Sequence, residues 1–254
     1  MARRATFVDS ELGAITDDRL TRDVRVYQRE KGHRFSSDDV ITAFVAVQAA
    51  PGARRVLDLG CGLGSVLLHL AWSLPEATLV GIEAQAVSFE LLRRNLARSG
   101  FAERVRIMQG DLRDSRDIEA LGSGFDLITG TPPYFAPAAA LEAEDEQRAY
   151  ARLEYRGGVE AYVSSAAALL TKAGVIVLCG DARAGERVLR SAAEARVCAR
   201  ARCDVTARDG RPALFSVWTL MVQPGDCLLS RLVLRDAQGG QTEDALRLRA
   251  FSGF

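Results

Sequence analysis

The sequence predicts an α/β fold built on a doubly wound, mostly parallel sheet of seven strands that ends in a C-terminal antiparallel hairpin. Three observations carry this. From Arg55 onward, short apolar runs alternate with segments of helical period. The first of those runs flows directly into a glycine-rich turn. The chain has 254 residues, 48% of them hydrophobic and 26% charged, which is enough apolar material for one compact core under a polar surface.

The elements read in order as follows. Residues 1–30 are polar, with Asp and Arg interspersed, and are expected to form an N-terminal arm with a short strand over 24–28. Ser36-Ser37-Asp38-Asp39 has the composition of a helix cap ahead of the apolar stretch 40–49. Strands are expected over 56–59, 77–82, 105–109, 125–129 and 174–178, with helices over 65–74, 87–99 and 158–170. Parallel strands joined by helices cross over right-handed, which gives the doubly wound sheet. A helix after Glu186 and strands over 203–206, 214–222 and 231–234 complete a domain spanning 31–235. Residues 236–254 form a polar tail whose Phe251 and Phe254 are expected to pack. Apart from an Ala-rich patch over 136–143, no linker, repeat or low-complexity tract divides the chain.

Composition also excludes whole classes. No apolar run reaches the roughly 20 residues needed to cross a bilayer, and the N-terminus lacks a secretory apolar region. A cytoplasmic protein with no membrane partner is expected. A formal net charge of zero argues against binding nucleic acid by bulk electrostatics, although a local basic face fits beneath a balanced total. The five cysteines (Cys61, Cys179, Cys198, Cys203 and Cys227) are odd in number and form no CxxC pair, so neither a disulfide framework nor a metal site is expected.

Four marks carry chemistry. The strand 56–59 contains Asp58 and runs into Gly60-Cys61-Gly62-Leu63-Gly64, where Gly60, Gly62 and Gly64 remove side chains at a turn that a ligand can approach closely. The spacing is GxGxG, without the GxGxxG of a dinucleotide site or the Lys-Ser/Thr of a phosphate-cradling loop. Glu83 closes the next strand, where a carboxylate can accept hydrogen bonds from both hydroxyls of a ribose. Asp111, followed by Leu112, closes the third strand, and its carboxylate can receive the exocyclic amine of an adenine. Together these three describe an adenosine pocket. The fourth mark is Gly130-Thr131-Pro132-Pro133-Tyr134-Phe135. Its two prolines stiffen the loop, and Tyr134 offers a ring face to a flat group bearing a nitrogen nucleophile. Such a nitrogen has a delocalised lone pair, so the site must accept its two N–H hydrogens. The Pro132 carbonyl and the Thr131 side chain stand where acceptors are needed.

With these marks the sequence resembles class I methyltransferases carrying an (Asn/Asp/Ser)-Pro-Pro-(Tyr/Phe) motif. It more closely resembles the bacterial family that methylates adenine N6 beside the anticodon of a valine tRNA. The likeness runs from Tyr27 to Met221 and includes residues 28–34 with Phe35-Ser36-Ser37-Asp38, and Gln147-Arg148-Ala149-Tyr150-Ala151-Arg152, similar to the family's Arg-x-x-Ala-Arg segment. The resemblance implies a Rossmann-like class I fold, S-adenosylmethionine as cofactor and tRNA or another RNA as partner. It also implies that His33, Phe35 and Asp38 close over the ligand site and that Arg148 and Arg152 orient substrate. Against that last role stands an ordinary surface ion pair of either arginine with Glu144, Asp145 or Glu154. On this reading Thr131, Pro132, Pro133 and Tyr134 act at the reacting nitrogen with Phe135 and His33 beside the substrate. Asp58, Gly60, Cys61, Gly62, Gly64, Glu83, Asp111 and Leu112, with Phe35 and Asp38, hold the cofactor.

One position departs from the pattern. The family usually has Asn at the first motif position, and here it is Thr131, whose hydroxyl is shorter and has to be oriented by a partner. That leaves open a protein glutamine amide or a small molecule as substrate, or a non-catalytic methyltransferase-like subunit. Arg22, Arg25, Arg29, Lys31 and Arg34 are the candidates for a basic RNA-facing surface.

Overall fold

A computed structural model describes residues 6–134 and 145–254. The chain opens with β1 (Thr6–Asp9), β2 (Gly13–Arg19) and β3 (Arg25–Arg29), an antiparallel meander that forms its own sheet. Then come α1 (Ser37–Ala49), β4 (Arg55–Leu59), α2 (Ser65–Ser73), β5 (Thr78–Glu83), α3 (Ala86–Ser99) and β6 (Val105–Gln109). The second half holds α4 (Ser115–Leu121), β7 (Phe125–Gly130), α5 (Glu146–Arg152), α6 (Val159–Leu169), β8 (Leu170–Asp181) and α7 (Gly185–Glu194). It closes with β9 (Cys198–Thr206), β10 (Phe215–Met221), β11 (Leu228–Val233) and α8 (Glu243–Phe251).

The main sheet has the order β11-β9-β10-β8-β7-β4-β5-β6. Strands β4 to β8 run parallel, and β10 is antiparallel to both of its neighbours. Every strand expected from 56 to 234 is present, so the sheet has eight strands where seven were expected, with the one expected over 231–234 forming β11, which pairs parallel with β9 at the edge. The central strands form because both of their faces are covered and apolar residues alternate between two cores. Val56, Leu127 and Val177 face one core, whereas Leu57, Ile128 and Ile176 face the other. Because the chain winds from β4 out to β6 and then returns to β7 on the other side of β4, a crevice opens at the carboxyl ends of β4 and β7.

The arm expected over 1–30 is folded in its described part. Its polar composition hides the strands because the meander is built on buried polar groups: Asp18 accepts hydrogen bonds from Thr16 (2.5 Å), Gln28 (2.9 Å) and Arg34 (2.8 Å). Asn95 of α3, fully buried, fastens the meander to the rest of the molecule. It accepts the Tyr27 backbone N–H (2.7 Å) and donates to the carbonyls of Tyr27 (3.1 Å) and Leu63 (2.9 Å). Above it the Arg98 guanidinium lies 3.9 Å from the centre of the Tyr27 ring.

The tail also folds back. Phe251 of α8 stacks on His69 of α2 at 4.4 Å and meets Phe44 of α1 edge-on at 5.2 Å. The His69 ring lies 3.1 Å from the Ser252 hydroxyl, and the Arg22 backbone N–H reaches the Ser252 carbonyl at 2.8 Å. Phe254 is about half exposed, with Arg19 over its ring. No described helix is long and apolar enough to cross a membrane.

Burial holds His69 neutral and pushes its pKa down to about 4. The unfolded chain, with an ordinary imidazole, binds more protons below pH 6.5 than the folded one. Stability is therefore expected to fall as pH drops from 6.5 to 4, by up to about 3 kcal/mol, and to level off below. Urea denaturation across that range should show the loss in the wild type and a smaller one in His69→Gln.

Candidate functional site

The crevice is a cleft whose empty space, open mouth included, is about 880 Å³. Its floor is the turn after β4. Gly60, Gly62 and Gly64 all have positive φ (60°, 56° and 95°), so the turn needs residues without a Cβ penalty. The three differ in what a side chain would meet. At Gly60 it would collide with the Tyr162 hydroxyl, and at Gly64 with Leu92 at 2.6 Å, so these two are glycines for packing. At Gly62 nothing lies within 4 Å, so this is the position open to a ligand. Cys61 points inward against Gly81.

Glu83 is buried, and its carboxylate accepts the backbone N–H of Gly62 (2.8 Å) and of Gln85 (2.7 Å), which locks the glycine turn to the end of β5. Each oxygen keeps a lone pair for a further donor. Asp58, at the carboxyl end of β4, accepts the Thr129 hydroxyl at 2.8 Å through Oδ1, while its buried Oδ2 has no partner. Burial pushes the Asp58 pKa up to about 7, and the nearby Glu83 adds to the rise. Asp39, at the start of α1, accepts the Ser36 backbone N–H (2.9 Å) in a capping box. Burial and the neighbouring Asp38 push it up to about 8. Three buried carboxyl groups thus surround one cleft.

Asp111 and Leu112 line the opposite wall. The Asp111 carboxylate is held by Arg113 at 2.7 Å, which keeps its pKa below the usual range. The wall is completed by Tyr162, wedged between Gly60 and Gly130, and by Arg156, whose guanidinium lies 4.6 Å above the Tyr150 ring.

A second cleft opens on the other side of the loop after β7 and shares His33, Asp39, Thr131, Pro133 and Ala151 with the first. Tyr134 lines it, with its hydroxyl 3.1 Å from Asp38 Oδ2 and 2.9 Å from Cys179 Sγ. Arg148 and Arg152 also line it. Glu154 does not pair with either of them in the way a surface ion pair would require, since it is held by Arg187 at 2.8 Å.

Most of the sequence-derived residues line one or both of the two clefts, and three placements stand apart. Asp38 stands with Tyr134 in the second cleft, whereas Phe35 lines the first. Phe135 and Glu144 lie outside the described residues. Of the five basic residues of the N-terminal segment, Arg22, Arg25, Arg29 and Arg34 are in ion pairs with Asp23, Asp17, Asp145 and Asp18, and only Arg29, Lys31 and Arg34 line the second cleft. Sequence reasoning missed Asp39, Arg156 and Tyr162. Asp39 was legible only as a cap, and the place of Tyr162 depends on a contact between residues a hundred positions apart. Among the described residues, no three His, Cys, Asp or Glu side chains gather as metal ligands.

Comparison with known proteins agrees with this geometry. A methyltransferase-domain family pattern matches residues 56–154. The chain is 34% identical over 203 residues to the tRNA1(Val) (adenine(37)-N6)-methyltransferase of Yersinia enterocolitica, covering 79% of this chain and 77% of that one. It is 34% identical over 190 residues to that of Yersinia pestis, covering 74% of each. Among solved structures, a predicted O-methyltransferase from Agrobacterium tumefaciens superposes with a TM-score of 0.64 at 18% identity, covering 85% of this chain and 96% of the other. That last likeness speaks to the fold alone. A glycine turn walled by buried carboxyl groups, on this sheet and with these relatives, leads to one conclusion: the chain is a methyltransferase, and it belongs to the family of the tRNA1(Val) (adenine(37)-N6)-methyltransferases.

Proposed function

We propose that the chain transfers a methyl group from S-adenosylmethionine to N6 of an adenine in tRNA, in the cytoplasm. The observation that carries the reading is the Thr131-Pro132-Pro133-Tyr134 loop, which stands in the wall between two connected clefts. One cleft is lined by buried carboxyl groups, and the other by five arginine and lysine side chains set among four acidic ones.

The first cleft fits the cofactor on the structure's own terms. The unpartnered Asp58 Oδ2 is an acceptor waiting for a cationic donor and suits the ammonium of an amino acid. Glu83 keeps lone pairs for two ribose hydroxyls, Gly62 leaves room for close approach, and Asp111 and Leu112 flank a flat base. When bound there, S-adenosylmethionine supplies a methyl group made electrophilic by its sulfonium. The protein's own part is placement and electrostatics. The Pro132 carbonyl and the Thr131 hydroxyl accept the N–H hydrogens of the target amine. The Tyr134 ring, its hydroxyl tethered by Asp38, holds the base plane, and Arg148 and Arg152 take the phosphates around it. A base in an anticodon loop reaches such a site at a low unstacking cost.

The direct test is transfer of labelled methyl groups from S-adenosylmethionine to total tRNA, to protein extract and to buffer alone. Label is expected in tRNA as N6-methyladenosine and lost in Asp111→Ala and Tyr134→Ala; label confined to protein would replace the reading with an amide methyltransferase. The two kinds of glycine should separate as well. Gly60→Ala is expected to lower the melting temperature through its clash with Tyr162. Gly62→Val, at a site that is open in the free protein, should weaken cofactor binding more than tenfold when measured by calorimetry, at a stability cost of about 1 kcal/mol from its positive φ.

Cofactor binding should depend on pH. The Asp58 carboxyl holds its proton up to about pH 7 and has to lose it to face a cation. Binding therefore releases a proton, and affinity is expected to rise between pH 6 and 8. Calorimetry in buffers of different ionisation enthalpy reads the released proton directly, and Asp58→Asn should reduce that release along with the affinity.

A further inference from the structure

Helix α5 supplies walls to both clefts. Arg148 and Arg152, one turn apart, line the second, Tyr150 lines the first, and Ala151 lines both. Successive residues of a helix turn by about 100°, so Tyr150 stands about 60° to one side of Gln147 and Arg148 about 100° to the other. Gln147 itself lines neither cleft. At 3% exposure it is the only buried residue of α5. A helix this short whose one buried side chain is polar is not seated by apolar packing, so its place depends on what that amide bonds to.

The amide is held from two directions. Its Nε2 donates to the Ser88 hydroxyl in the first turn of α3 (3.0 Å), and Arg29 of β3 donates to its Oε1 (3.4 Å). The Ser88 hydroxyl donates in turn to Gln85 Oε1 at 3.4 Å, and Gln85 Nε2 reaches the Gln147 carbonyl at 3.5 Å. Gln85 is also the residue whose backbone N–H the Glu83 carboxylate accepts. Gly32 leaves room for the amide, because a Cβ there would strike Gln147 Oε1. Arg29 pairs as well with Asp145, the residue that caps α5, at 2.8 Å. The meander, the start of α3 and α5 thus meet at one buried amide.

We infer that Gln147 is a positioning residue for both reactants: it touches neither, and it fixes the rotation of α5 that turns Arg148 and Arg152 towards RNA and Tyr150 towards the cofactor. The RNA half rests on the adenine reading, and the cofactor half on the place of Tyr150 in the first cleft. The Arg156 guanidinium, 4.6 Å above the Tyr150 ring, is placed by the same rotation. Methionine at position 147 would keep the length of the side chain but offer no donor to Ser88 and only a weak acceptor to Arg29. The helix would then lose the contacts that set its angle.

The test measures KM and kcat on an anticodon stem-loop transcript of valine tRNA, and the S-adenosylmethionine Kd by calorimetry. Gln147→Met is expected to raise the transcript KM about tenfold and the cofactor Kd about threefold, with kcat within about threefold of wild type. A residue that only stabilised the fold would lower the melting temperature and leave both constants in place. Arg148→Ala with Arg152→Ala should also raise KM, and adding Gln147→Met to that pair should raise it no further, because Gln147 acts through those two side chains. Ser88→Ala removes the same hydrogen bond from the α3 side and is expected to raise KM about threefold, which decides the matter if Gln147→Met does not fold. A KM within about twofold of wild type in Gln147→Met, or in Ser88→Ala where that variant has to stand in, would overturn the inference, as would effects of Gln147 and the arginine pair that multiply in full. A wild-type chain that binds cofactor but neither binds nor methylates the transcript would overturn the adenine reading and the RNA half with it. The cofactor Kd of the same variants then decides the other half, and a value equal to wild type would overturn that too.

Discussion

Asp39, Asp58 and Glu83 stand buried around one cleft, and taking three carboxyl groups out of water is costly unless each is neutralised or hydrogen-bonded. The structure meets that cost locally. Glu83 receives two backbone N–H groups, Asp39 closes its own helix cap, and Asp58 receives Thr129 while leaving one oxygen unmatched. That unmatched oxygen means the site is built for a state in which something else is present. The rise in the Asp39 and Asp58 pKa values is the same fact in another form: without a cation, the acids are held towards their neutral form.

This electrostatic centre is braced from a distance. Asn95 ties the meander to the carbonyl of Leu63, inside the glycine turn, so a segment that looks like a loose arm acts as a buttress for that turn. Tyr162 fills the space left by Gly60 and Gly130 and joins the turn after β4 to the loop after β7. Tyr134 is fixed by Asp38 from α1 and by Cys179 from β8. Each half of the site is therefore held by elements that also shape the other half.

What the sequence disclosed follows from the range of the physics involved. Strands β4, β7 and β8 were legible because continuous apolar runs mark strands buried on both faces, and the glycine turn was legible because positive φ restricts residue choice at fixed spacing. Strand β2 is not legible, since Thr16 and Asp18 stand buried where apolar residues would reveal it, and β1 pairs only with that strand. Helix α8 was read as polar tail because only Phe251 and its neighbour Leu248 carry its packing. The partnership of Asp38 with Tyr134, and the wedge of Tyr162, are long-range contacts that leave no local pattern.

The two clefts differ in which polar groups are left unmatched, and that difference gives the site a direction. Among the described residues Lys31 and Arg148, on the rim of the second cleft, have no ion pair, whereas Arg29 and Arg34 are already matched by Asp145 and Asp18. Those two unmatched cations favour a polyanion at the second cleft, and the acceptor left open on Asp58 favours a cationic donor in the first. Thr131 and Pro133 lie where the two fields meet. Ligands sorted by charge onto opposite sides of one rigid loop can meet only across it, so a chain of zero net charge can select a charged pair of reactants.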